Sequence, residues 1–134
     1  MILHLHILGA LFVTLSMLHV GFPRYFKWKG QLPGLSLINR QMMWVHTGFI
    51  ALAVFLMGSL CLTSAEELVN TALGQRICLG LGVFWGLRLV VQIFVYSTDL
   101  WRGKAFETTV HMLFTVLWAY AAITFLVAGS GASL

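Results

Sequence analysis

The strongest constraint on this chain is its pattern of long apolar runs, at residues 2–22, 40–63, 73–96 and 105–128. A helix of about 20 apolar residues crosses the hydrocarbon core of a bilayer, so a chain of 134 residues has room for four such spans and not for five. Charged residues make up 9% of the sequence, against about 25% in soluble domains. With a mean hydropathy of +0.92, an ordinary water-soluble globule is excluded. Short connections favour antiparallel neighbours. These features predict an all-α polytopic membrane protein, a single transmembrane domain over residues 1–134 folded as an antiparallel up-down four-helix bundle. The first run has no basic leader region and no small-residue cleavage site, so it reads as a span rather than a removed signal peptide.

Charge sets the expected orientation. The formal charge of +4 comes from eight Lys/Arg and four Asp/Glu. With no basic tail or stripe, this balance points to membrane-flanking loops and not to nucleic acid. Phe22-Pro23-Arg24-Tyr25-Phe26-Lys27-Trp28-Lys29 combines interfacial aromatics with snorkelling cations and marks a membrane exit. Pro23, Gly30, Pro33 and Gly34 then break the chain into a loop. The first loop carries Arg24, Lys27, Lys29 and Arg40, the third Arg102 and Lys104, and the second Glu66 and Glu67. The positive-inside rule places loops one and three in the cytoplasm and both termini outside, as in a bacterial inner membrane. Ser64 with Glu67 resembles a capping box. Gly82-x-x-x-Gly86 offers a face on which another helix, from this chain or another membrane subunit, could approach closely.

The polar residues inside the spans fall near one depth. His19 precedes the end of the first span, His46 follows Arg40 on the second, Arg88 and Gln92 precede Tyr96 on the third, and Glu107 and His111 open the fourth. At 1.5 Å per residue these groups lie about 5–12 Å inside the cytoplasmic boundary. Glu107 and His111 share one helix face, as do Arg88 and Gln92. Ser16 and His19 share a face with Phe12 and Gly9, and Asn39, Met42 and His46 share another. Ionisable groups at membrane depth are costly and face the bundle interior. Arginine stays protonated and needs an acceptor, for which Glu107 is the natural partner of Arg88.

Three readings of this layer follow. In the first, His46 and His111 supply both axial ligands of haem b, with His19 as an outer group or alternative ligand. Phe114, Trp118 and Met43 would wall the macrocycle, and Arg24, Arg40 and Arg88 would meet its propionates. In the second, His19, His46, His111 and Glu107 hold one zinc, iron or copper ion, with Gln92, Arg88 and Ser16 around the ligands. Either makes the protein a small redox or electron-transport component, an oxidoreductase in the broad sense. In the third, the chain is a non-catalytic accessory or assembly subunit of a larger membrane complex, and the polar layer is interhelical glue.

Elsewhere, His4 and His6 lie at the outer edge on different helix faces and read as solvated. Cys61 and Cys78 read as buried free thiols, although an oxidising compartment would permit a bond. Tyr96, Trp101 and Trp28 fit an interfacial belt. The size, the four spans and Pro23-Arg24-x-Phe26 after the first span resemble the HemJ-type protoporphyrinogen oxidases. That resemblance implies a four-helix membrane fold associated with haem and porphyrin chemistry. The third span here ends Val95-Tyr96-Ser97-Thr98-Asp99 where that family is strongly basic, and no catalytic residue is carried over.

Overall fold

The computed structural model describes residues 1–25, 30, 32–95, 103 and 105–131. All regular structure in them is helical: α1 (Ile2–Tyr25), a 3₁₀ turn (Leu32–Gly34), α2 (Leu37–Thr63), α3 (Ala65–Asn70), α4 (Ala72–Phe94) and α5 (Ala105–Gly129). Among the described residues, α1, α2, α4 and α5 are long and apolar enough to cross a bilayer. The chain is an all-α polytopic membrane protein.

Local chemistry explains the helix ends. The Ser36 hydroxyl accepts from the Asn39 N–H at 3.4 Å and starts α2. The Thr71 hydroxyl accepts from the Gly74 N–H at 2.9 Å and starts α4. Each satisfies one of the donors that a helix N-terminus leaves without a partner. Glu66 and Glu67 occupy the first turn of α3, where the helix dipole favours negative charge. Beyond α5 the chain turns at Gly131, whose φ of 81° suits glycine.

Two boundaries differ from the sequence expectation. Helix α1 runs on through Pro23 to Tyr25, because a proline close to a helix C-terminus disrupts only bonds in the last turns. Helix α2 begins at Leu37, ahead of Arg40, because Ser36 provides the cap. Residues 26–29, 96–102 and 104 lie outside the described residues, and with them the loop cations Lys27, Lys29, Arg102 and Lys104 and the aromatics Trp28, Tyr96 and Trp101.

The chain forms two compact units, Leu5–Ala65 and Met1–His4 with Glu66–Leu134. The first is an antiparallel hairpin of α1 and α2. A Cβ on Gly9 would lie 2.8 Å from the Gly58 carbonyl oxygen, and one on Gly58 would lie 2.8 Å from the Gly9 carbonyl oxygen. Leu62 also reaches Gly9, and Phe12 and Val13 reach Gly58, which fixes the antiparallel register. Two glycines facing each other let the backbones touch, the close approach on which membrane helices rely for van der Waals packing.

The second unit is an antiparallel hairpin of α4 and α5, with α3 leading into it. Gly82 seats Leu126 and Gly129 seats Leu79, each where a Cβ would come within 2.6 Å of the leucine side chain. Its core is Cys78 and Trp85 from α4 with Trp118, Ala121, Phe125 and Ala128 from α5, all buried. Leu68 of α3 is buried too, and Gly74 sits so close to Glu67 and Leu68 that no side chain would fit. Gly82 and Gly86 therefore do not form one outward glycine face. Gly82 is filled by the chain's own α5, and only Gly86 opens onto free space.

Candidate functional site

The polar residues at the far end of the second hairpin form a continuous chain. Arg88, half-buried on α4, donates from Nη1 to Gln92 Oε1 at 3.3 Å, one turn further along the same helix. Gln92 is buried, and its amide nitrogen lies 3.1 Å from His111 Nδ1 and 3.4 Å from the His111 carbonyl oxygen on α5. Thr115 Oγ1 donates to that same carbonyl at 2.8 Å. The helices are thus tied together by an amide, a fitting device for a segment in which unsatisfied polar groups are costly.

An aromatic stack backs this chain. The Arg88 guanidinium carbon stands 5.1 Å from the centre of the Trp118 ring, a cation–π contact of the kind worth up to about 2 kcal/mol when desolvated. Trp118 stacks on Trp85 at 4.9 Å and on Phe114 at 5.6 Å. Phe84 meets Trp85 edge-on at 5.0 Å. The Trp118 indole N–H is buried with no acceptor among the described residues, so in this stack the ring is held through its faces.

The expected ion pair between Arg88 and Glu107 does not form among the described residues; Nη1 meets the Gln92 amide instead. The helix register explains this. Trp85 lies opposite Trp118 and Gln92 opposite His111, so Arg88 falls level with Thr115. Glu107 is two turns further out, about 12 Å along the axis.

The other predicted residues occupy different surroundings. His19 is half-buried, and its Nδ1 donates to the Leu15 carbonyl at 2.9 Å, back into its own helix. Ser16 is buried, and its hydroxyl donates to the Val13 carbonyl at 2.7 Å. His46 is exposed together with Asn39 and Met42 on its face, and no hydrogen bond reaches His46 among the described residues. Met43 is exposed as well. Arg40 is half-buried, and the Arg24 side chain lies outside the described residues. Among the described residues, no three His, Cys, Asp or Glu side chains are grouped to hold a metal ion. Cys61 and Cys78 are buried and form no disulfide, and Cys78 Sγ donates to the Leu68 carbonyl at 3.8 Å.

Two features were not anticipated. His4 is not simply solvated: its Nδ1 lies 2.7 Å from the Tyr120 hydroxyl, with the rings tilted and 5.9 Å apart, while His6 is exposed. Trp85 and Trp118 carry the stack beneath Arg88. Their spacing held the clue, since Trp85 precedes Arg88 by three residues and Trp118 follows His111 by seven, each a helical repeat onto the same face.

The fold and its hydrogen-bonded polar chain define an integral membrane protein of the all-α polytopic class. Comparison with protein-family models, with curated proteins and with solved structures finds no match.

Proposed function

We propose that the protein is a non-catalytic accessory or assembly subunit of a larger membrane complex, with its polar layer acting as interhelical glue. The observation that carries this reading is the chain Arg88–Gln92–His111, whose groups are spent on one another across α4 and α5. A side chain committed to holding its neighbour is poorly placed to bind a substrate. The setting we propose is a bacterial inner membrane, with both termini outside and the basic loops one and three in the cytoplasm.

A second reading is favoured by one observation on α1. The Leu15 carbonyl can only accept, so His19 carries a proton on Nδ1 and its Nε2 is the basic nitrogen, the arrangement found in metal-ligating histidines. On this reading the protein is a small redox component. Haem b would be held through two of the histidines His19, His46 and His111 with Arg88 at a propionate, or one zinc, iron or copper ion would be held by those histidines with Glu107. The resemblance to HemJ-type enzymes implies an association with haem and no residue role. When bound, such a group supplies one-electron or Lewis-acid chemistry. Glu107, two turns from the level of Arg88, and the exposed His46 fit such a centre less well than His19 does.

Mild-detergent purification from the native membrane separates the two. The accessory reading expects a colourless, metal-free protein that elutes with larger subunits. A Soret band, or one equivalent of metal, that disappears in His19→Ala would overturn it in favour of the redox reading.

A further inference from the structure

We propose that Gln92 is a positioning residue that fixes the tautomer of His111, placing the ring proton on Nε2 and the lone pair on Nδ1. This goes beyond either function above: it is independent of the accessory reading, and under the redox reading it takes His111 out of the ligand set and leaves His19 and His46. A guanidinium has donors and no acceptor, so the Gln92 atom that Arg88 Nη1 meets at 3.3 Å is the amide oxygen. The orientation of the amide therefore follows from chemistry and not from how its two end atoms are labelled. Its NH₂ group is left facing His111 Nδ1 at 3.1 Å, with the His111 carbonyl oxygen 3.4 Å away. Two N–H groups cannot bond to each other, so Nδ1 accepts, and the single proton of the neutral ring sits on Nε2. Burial of Gln92 makes the alternative costly, because a turned amide would set its NH₂ against Arg88 and strand a donor out of water.

His19 is the opposite case in the same chain, since its Nδ1 donates to the Leu15 carbonyl. A histidine that ligates a metal through Nε2 usually donates from Nδ1 to a carboxylate, a carbonyl or water. His19 has that arrangement and His111 has its reverse. The Arg88–Gln92 pair therefore bars His111 from ligating through Nε2. A carboxylate at position 92 would lift the bar, because it accepts from Arg88 and from Nδ1–H together.

Long-range ¹H–¹⁵N correlation spectra of histidine-labelled protein in lipid nanodiscs test this at about pH 8, above the ordinary histidine pKa of about 6.5. The His111 signals are identified by their loss in His111→Gln. The expected wild-type spectrum has His111 protonated on Nε2 and His19 on Nδ1. Gln92→Glu moves the His111 proton to Nδ1 and leaves His19 unchanged, and Gln92→Leu gives a mixture of tautomers at His111 alone. A wild-type His111 protonated on Nδ1, or already a mixture, overturns the proposal whether or not the variants fold. So does a Gln92→Glu protein that keeps its helicity and its His19 signals while His111 stays protonated on Nε2.

Discussion

Trp85 and Trp118 stack with 4.9 Å between ring centres and 10° between their planes, one indole from each helix of the second hairpin. Both are buried, and Trp118 also takes the Arg88 guanidinium at 5.1 Å. The stack holds two wide rings parallel between helices that approach closely at the Gly82 and Gly129 seats. It also gives the Arg88 charge a polarisable surface inside a segment with little water.

Replacing one ring tests the weight of this contact. Trp85→Leu keeps the site apolar but removes the stack, and aromatic pairs are worth about 0.5–1.5 kcal/mol beyond the area they bury. The expected outcome is a destabilised α4–α5 hairpin, read as earlier unfolding in a denaturing-detergent titration. Phe84→Leu, at an exposed side chain that meets only the ring edge, is expected to shift the curve less.

The glycine seats should discriminate sharply by position. A Cβ at Gly82 would fall 2.6 Å from Leu126, whereas one at Gly80 meets nothing within 4 Å. Gly82→Val is expected to cost about 1–3 kcal/mol through overpacking, and Gly80→Ala to be neutral or slightly stabilising through helix propensity. Equal effects at the two positions would show that the α4–α5 approach is not set by Gly82.

Loss of the linking amide should be felt on both helices. Gln92→Leu removes the acceptor used by Arg88 Nη1 and the donor to His111. Buried polar groups that lose a partner cost about 1–3 kcal/mol. The same titration is expected to show a loss in that range, while Thr109→Val, at an exposed hydroxyl bonded to the Ala105 carbonyl in its own helix, changes stability by less than about 0.5 kcal/mol.

The thiols give a chemical test of burial. Cys61 and Cys78 form no disulfide and are fully buried, so the folded protein should resist a bulky maleimide and react at both sites once unfolded. Its gel mobility should be the same with and without reductant. Rapid labelling of native protein at Cys78 would contradict its place in the α4–α5 core.

Much of this architecture could be read from residue order, for a definite physical reason. Span length and polarity are set by the bilayer, so the four apolar runs mark α1, α2, α4 and α5 to within a few residues. The ends were less legible, because a cap such as Ser36 or Thr71 is one hydroxyl whose role depends on the bond it makes. In the second hairpin the polar residues were legible helix by helix and not as pairs. Helical spacing put Arg88 and Gln92 on one face, but which residue of α5 stands opposite depends on the Gly82–Leu126 and Gly129–Leu79 seats, and these set the register that takes Glu107 away from Arg88. The Gly82-x-x-x-Gly86 pattern marked a close approach without telling which helix would make it.

The mutual seating of Gly9 and Gly58 has a consequence for biogenesis. Their seam lies wholly within the first two spans, so those helices can close on each other without a surface borrowed from segments synthesised later. Such a pair is competent to leave the insertion machinery together once the end of α2 has emerged from the ribosome.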